Sequence, residues 1–184
     1  MTEPKRLFDA VAFQLQKFPK EDMLAAKENG RWKTYSTAYV AERVNQLSSA
    51  LLSMGLSGHD FTPEQQDKIA IISKNRPEWI MLDLACQQIG VILCPIYPTT
   101  NVNEVEFIFN DAAIKYVFIS GQEIFDKVNS IRNRVPSLIS VFSFDEMAGV
   151  DHWEKLFSLA TPEWANRVEA VKASIEASRC ATII

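Results

Sequence analysis

The stretch Asp67-Lys68-Ile69-Ala70-Ile71-Ile72-Ser73-Lys74-Asn75-Arg76-Pro77-Glu78-Trp79, continued through Gly90 and closed by Val91-Ile92-Leu93-Cys94-Pro95-Ile96-Tyr97, decides the fold. Ile69-Ala70-Ile71-Ile72 is an apolar run without alternation, which suits a parallel strand covered on both faces. Asn75-Arg76-Pro77-Glu78 then opens a helix. Proline is tolerated in a first turn because the N–H it lacks would have no intrahelical partner, and Glu78 complements the helix dipole. Trp79, Leu82, Ala85 and Ile89 supply an apolar face, with Trp79 as a large anchor. Gly90 releases the chain into a second strand over residues 91–94. The whole is a βαβ unit.

Working downstream, the pattern predicts a helix over 104–111, a strand over 116–119, a helix over 121–132 and a strand over 140–144. This alternation predicts an α/β fold, a mainly parallel sheet flanked by helices on both faces. Upstream, Leu7, Phe8, Val11, Leu15 and Phe18 recur at helical spacing. Residues 23–26 and 31–35 flank Asn29-Gly30, a pair suited to a tight hairpin because both residues tolerate positive φ. Ser36 is placed to cap a helix whose buried face is Val40, Val44, Leu47, Leu51 and Met54, with Gly55 as its exit. After Asp145 the pattern changes. Residues 151–159 and 163–177 read as helices around Pro162, and Thr182-Ile183-Ile184 as a terminal strand. The chain thus divides into a helix plus hairpin (1–35), an α/β core (36–144), and a helical connection with a terminal strand (145–184).

Composition narrows the functional classes. With 47% hydrophobic and 23% charged residues over 184 positions, the composition is that of an ordinary globular domain, long enough for one sizeable core or for a core plus an appended hairpin and helix. A net charge of −4 argues against nucleic acid as a main partner, since phosphate binding needs a basic face. Cys86, Cys94 and Cys180 show no metal-ligand spacing and fit a reducing compartment. Met1-Thr2-Glu3-Pro4-Lys5 opens no apolar signal region, and the most apolar stretch is broken by Asp83, Gln87 and Gln88. A cytoplasmic location is the expectation. The Leu7–Phe18 stripe has two readings, peripheral membrane contact or packing on its own domain. Its polar face is not basic, which favours packing.

The motifs of phosphate and nucleophile chemistry are missing. The six glycines fit neither Gly-x-x-x-x-Gly-Lys nor Gly-x-Gly-x-x-Gly. Ser120-Gly121-Gln122 could hold an anion at a helix start, though a plain strand-to-helix turn is the simpler reading. His59 and His152 have no serine or cysteine partner in a recognisable arrangement. The acidic pairs Glu104/Glu106 and Asp145/Glu146 read as solvated carboxylates, and no metal-ligand cluster appears. Residues alone stop at an α/β domain without visible catalysis.

The ordered set Asp67-Lys68-Ile69-Ala70-Ile71, Asn75-Arg76-Pro77-Glu78-Trp79, Gly90 and Pro95-Ile96-Tyr97-Pro98-Thr99 nevertheless resembles the first half of the large domain of adenylate-forming acyl-CoA synthetases, the long-chain fatty acid–CoA ligases above all. The resemblance runs from Trp32-Lys33-Thr34-Tyr35 to Ile119, fades between Asp145 and Cys180, and returns in Ala181-Thr182-Ile183-Ile184. That last stretch is similar to the strand leading into the family's Ser/Thr/Gly-rich phosphate loop. It implies an incomplete large domain. In an intact enzyme of this family, fatty acid, ATP with Mg²⁺, and coenzyme A yield acyl-CoA, AMP and pyrophosphate.

The family's phosphate loop, nucleotide contacts, acidic Mg²⁺ ligand and catalytic lysine have no matching positions here, so no catalytic or metal-binding residue is carried over. The segment Tyr97-Pro98-Thr99-Thr100-Asn101 follows the carboxyl end of a predicted strand, where open α/β sheets bind ligands. Tyr97, Thr99 and Thr100 are therefore the candidate contacts near the coenzyme A or acyl channel. Some relatives place a basic residue near the position of Thr99 against a coenzyme A phosphate; threonine offers only a neutral hydrogen bond. The plainer reading of the segment is a capping loop, with Asn101 or Thr100 as the cap. The resemblance implies a scaffold, inactive alone, whose main partner is the remainder of a ligase chain. A homodimer remains a second partner reading, and a non-catalytic α/β binding or assembly module sharing the scaffold is the alternative function. An unrelated nucleotide-binding domain is disfavoured by the missing phosphate loop.

Overall fold

The unbroken run Ile69-Ala70-Ile71-Ile72 is a strand whose side chains are buried on both of its faces. The computed structural model describes residues 3–28 and 30–184. Its elements are α1 (Asp9–Lys17), β1 (Leu24–Glu28), β2 (Arg31–Tyr35), α2 (Thr37–Ser53), β3 (Lys68–Ile72), α3 (Pro77–Gln88), β4 (Ile92–Pro95), α4 (Val102–Asp111), β5 (Tyr116–Ile119), α5 (Gln122–Ile131), β6 (Ser140–Ser143), β7 (Asp151–His152) and α6 (Pro162–Ser174). They form two compact units. One holds the described chain up to Leu56 with Asn75–Ile89 and Leu156–Arg179; the other holds Ser57–Lys74, Gly90–Lys155 and Cys180–Ile184.

In the first unit, β1 and β2 pair as an antiparallel hairpin with Leu24 opposite Tyr35 and Glu28 opposite Arg31. Asn29 lies outside the described residues; Gly30 follows it at φ +79°. The Ser36 hydroxyl accepts from the Tyr39 N–H at 3.2 Å and caps α2. Val40, Val44, Leu47 and Leu51 are buried along that helix, each contributing about 1.5–3 kcal/mol relative to exposure. A polar network ties α2 to α3: Ser48 Oγ lies 2.7 Å from Gln88 Oε1, and Gln88 Nε2 donates to Asn45 Oδ1 at 3.2 Å. α3 begins at Pro77, as the Asn-Arg-Pro-Glu signal predicts, and Arg76 pairs with Glu78 at 2.9 Å. Trp79 is only half-buried, whereas Met81, Leu82, Leu84 and Ala85 of the same helix are buried.

The α1 stripe splits. Phe8 and Val11 are buried while Leu7, Leu15 and Phe18 are exposed, since a nine-residue helix lays little more than one turn of its apolar face on the unit. Arg6 anchors it: its guanidinium grips Asp9 and donates to the carbonyls of Lys172 and Ile175, closing the carboxyl end of α6. Burial works against the Asp9 charge, but the hydrogen bonds and charge of Arg6 outweigh it and hold that carboxyl low.

In the second unit all strands are parallel, in the order β4-β3-β5-β6-β7. Ala70, Ile72, Val117 and Ile119 pack with Val105 and Phe109 of α4 and Ile124 and Val128 of α5. Two expectations are corrected here. Residues 151–159 are not one α-helix: Asp151–His152 pairs with β6 as a short strand, and Trp153–Leu159 is a 3-10 turn. The cause is the aromatic column Phe118, Phe142 and Phe144, onto which Trp153 packs edge-on at 5.7 Å from Phe144. The terminal strand reduces to a single parallel bridge, with the Leu93 N–H donating to the Ala181 carbonyl and the Ile183 N–H to the Leu93 carbonyl. Among the described residues no helix is long and apolar enough to cross a membrane.

Candidate functional site

The segment after β4 holds the three candidate contacts, and its shape is set by Lys127 of α5. The Lys127 ammonium donates to the Pro98 carbonyl at 2.8 Å and the Thr100 carbonyl at 2.7 Å. The Thr100 N–H closes a turn onto the Tyr97 carbonyl at 3.0 Å, and Asn101 Oδ1 accepts from the Glu104 N–H at 3.0 Å. Asn101, one of the two expected caps, is therefore the residue that starts α4. The loop turns outward. Tyr97 is 75% exposed, Thr99 is exposed and Thr100 is half-buried. Together they present a phenol and two hydroxyls in a fixed frame, a surface able to make neutral hydrogen bonds and one ring contact. Lys127, a nearby cation that sequence spacing does not link to this loop, is committed to the two carbonyls. A phosphate at Thr99 would meet hydroxyls rather than a free charge.

Strand order adds a place that reading one strand at a time misses. The chain passes from β3 to β4 on one side and then to β5 on the other, so the order reverses between β3 and β5. Crevices at such reversals, beyond the carboxyl ends of the strands, are where open α/β sheets accept ligands. Here the two strand ends carry Ser73 and Ser120. Ser73 is buried, with its hydroxyl donating to the Lys74 carbonyl at 2.9 Å, and the Ser120 N–H donates to the Ile72 carbonyl at 3.2 Å. The adjacent start of α5 is occupied from within: Asp145 Oδ2 accepts from the Gly121 N–H at 2.9 Å. A carboxylate already sits where Ser120-Gly121-Gln122 could have held an anion, and Gly121 at φ +82° is the turn glycine.

Several titratable groups elsewhere in this unit have structural partners. Asp67 is buried and meets Lys115 at 2.5 Å and His59 at 3.3 Å, while His152 Nε2 lies 3.1 Å from the Phe144 carbonyl. Hydrogen bonds from Arg134 hold the Glu106 carboxyl below its usual range. Burial pushes the Cys94 thiol up to about 11, making it a poor nucleophile. Among the described residues there is no group of three or more His, Cys, Asp or Glu able to hold a metal ion.

The chain is similar to known proteins in both sequence and fold. A family model described as AMP-binding enzyme matches residues 11–184. Long chain acyl-CoA synthetase 4 of Arabidopsis thaliana is 28% identical over 144 residues, covering 74% of this chain and 20% of its own length. Long-chain-fatty-acid–CoA ligase 5 of Rattus norvegicus is 33% identical over 91 residues, covering 50% of this chain and 13% of its own. The chain thus spans a fifth or less of these curated relatives. A red-emitting luciferase from Phrixothrix hirtus shares the fold at a TM-score of 0.71 and 15% identity, over 96% of this chain and 32% of the luciferase.

Proposed function

The chain belongs to the AMP-binding enzyme family, and from that membership we propose that residues 1–184 are the N-terminal scaffold of a long-chain fatty acid–CoA ligase. The intact enzyme joins a fatty acid to AMP at the expense of ATP, releasing pyrophosphate, and then transfers the acyl group to the thiol of coenzyme A. The observation that carries the reading is the family match along nearly the whole chain, on a parallel sheet with the strand order described above.

In this reading the chain builds one wall of the large domain and supplies no catalytic group. Tyr97, Thr99 and Thr100 lie near the coenzyme A or acyl channel, and the residues present fit a neutral contact there because Lys127 is engaged with the Pro98 and Thr100 carbonyls. ATP and Mg²⁺ are held by residues outside these 184 positions, so the chain alone is inactive. The burial of the Cys86 and Cys94 side chains suits a cytoplasmic enzyme.

The experiment is ATP–pyrophosphate exchange with the purified 184-residue chain, freed of host ligases, and with the intact protein. Exchange that depends on a long-chain fatty acid in the intact protein alone supports the reading. Exchange by the 184-residue chain would overturn its scaffold role.

A further inference from the structure

Gln66 stands outside every role described so far. It is 1% exposed, in the turn before β3, yet it carries a primary amide into the interior. Both hydrogens of that amide are used. Nε2 donates to the Gly90 carbonyl at 2.8 Å and to the Cys180 carbonyl at 3.0 Å, joining positions 24 and 114 residues away. Gly90 is the left-handed residue, φ +71°, that turns the chain into β4, and Cys180 begins the terminal segment. Just beyond, Leu93 of β4 holds that segment by two backbone bonds and by the Thr182 hydroxyl, which donates to the Leu93 carbonyl at 2.9 Å.

The orientation of the amide is decided by its neighbours. Turned over, it would set an oxygen against two carbonyl oxygens. In the orientation present, Oε1 is buried without a hydrogen-bond partner among the described residues. A buried acceptor left unpaired is unfavourable, and keeping both donors on Gly90 and Cys180 outweighs it. Backbone pairing alone holds the segment weakly, since one bridge replaces a ladder.

We propose that Gln66 is a positioning residue. Its two donors fix the terminal segment 180–183 in register on the outer side of β4. Resting on the ligase reading above, this clamp sets where the chain enters the nucleotide site of the intact enzyme, and it acts on ATP rather than on the fatty acid.

The test uses the intact protein with Gln66→Met, which keeps the side-chain length and removes both donors. Hydrogen exchange at the Ile183 N–H should quicken about ten-fold, as expected for losing such bonds, while β5 amides stay unchanged. Unchanged exchange at Ile183, or equal quickening throughout β5, would overturn the proposal. Gln66→Asn keeps a buried amide but falls short of the two carbonyls, and it carries the same expectation if Gln66→Met does not fold. In the ligase assay, KM for ATP should rise about ten-fold with KM for fatty acid unchanged; equal effects on both would overturn the link to the nucleotide. If the unsubstituted protein makes no acyl-CoA, the ligase reading fails, and the exchange result still decides the role of Gln66.

Discussion

Replacing Lys127 by methionine should loosen the loop that carries Tyr97, Thr99 and Thr100 while leaving the sheet intact. Methionine retains the apolar stem and loses the ammonium that bonds the Pro98 and Thr100 carbonyls at 2.8 and 2.7 Å. Hydrogen bonds from a charged donor contribute about 1.5–3 kcal/mol in a buried setting. Lys127 is half-buried, so water competes for it, and about 1 kcal/mol per bond is the better figure. The sum, about 2 kcal/mol, corresponds to about a thirty-fold change in the local opening equilibrium. The Thr100 N–H, which donates to the Tyr97 carbonyl, reports that opening directly by hydrogen exchange. It should exchange about thirty-fold faster in Lys127→Met and regain part of its protection in Lys127→Arg, which restores a cationic donor. The Val117 and Phe118 amides of β5 serve as internal controls. If Thr100 changes less than about three-fold, the two bonds do not hold the loop. If β5 changes equally, Lys127 supports the fold and not the loop.

Other substitutions test the packing and the electrostatics. Gly90→Ala places a Cβ 2.5 Å from the Phe61 ring in a left-handed backbone and should destabilise by about 2–4 kcal/mol; urea unfolding of Gly90→Ala/Phe61→Ala should recover the steric share, and equal stability of the single and double variants would refute the clash. Ser48→Ala leaves the Gln88 amide short of its partner at 2.7 Å and should lose about 1–3 kcal/mol, whereas Ser48→Ala/Gln88→Leu should lose less than the sum in a double-mutant cycle. Burial raises the Asp83 pKa against the lowering effect of the Gln87 hydrogen bond, so folding disfavours the charged form. Its stabilising contribution is complete below the unfolded pKa and fades as pH rises through the folded one. Asp83→Asn should therefore stabilise at pH 7 and be neutral at pH 3, in denaturant titrations at both values. Cys94, raised from 9.0 to about 11, should react with iodoacetamide at neutral pH about a hundred-fold more slowly than a free thiol, because its thiolate is that much scarcer.

What could be read from residues alone follows how local each signal is. Ile69-Ala70-Ile71-Ile72 and Tyr116-Val117-Phe118-Ile119 are unbroken apolar runs, and both are buried parallel strands. Ser36 and Asn101 cap their helices through the side chains that make them preferred there. Pro77 sits in a first turn. Signals that depend on distant partners were invisible. Asp151-His152 is too short for any periodicity and becomes a strand because Trp153 finds Phe144. The terminal segment has strand-forming residues, yet its extent depends on Leu93 and Gln66 far away in the chain. In the candidate site, Tyr97, Thr99 and Thr100 are candidates by the rule that ligands gather beyond strand ends, and they sit on one outward-turned loop. Lys127, 27 residues after Thr100, was not visible in the sequence, and neither was the reversal of strand order at Ser73 and Ser120, which only pairing reveals.

The most direct test of the ligase assignment is acyl-CoA formation by the intact protein that carries these 184 residues, supplied with ATP, Mg²⁺, coenzyme A and a long-chain fatty acid such as oleate. The expected products are oleoyl-CoA with AMP and pyrophosphate in equal amounts, and no turnover when ATP is omitted. Folded intact protein that forms neither oleoyl-AMP nor oleoyl-CoA under those conditions would contradict the assignment.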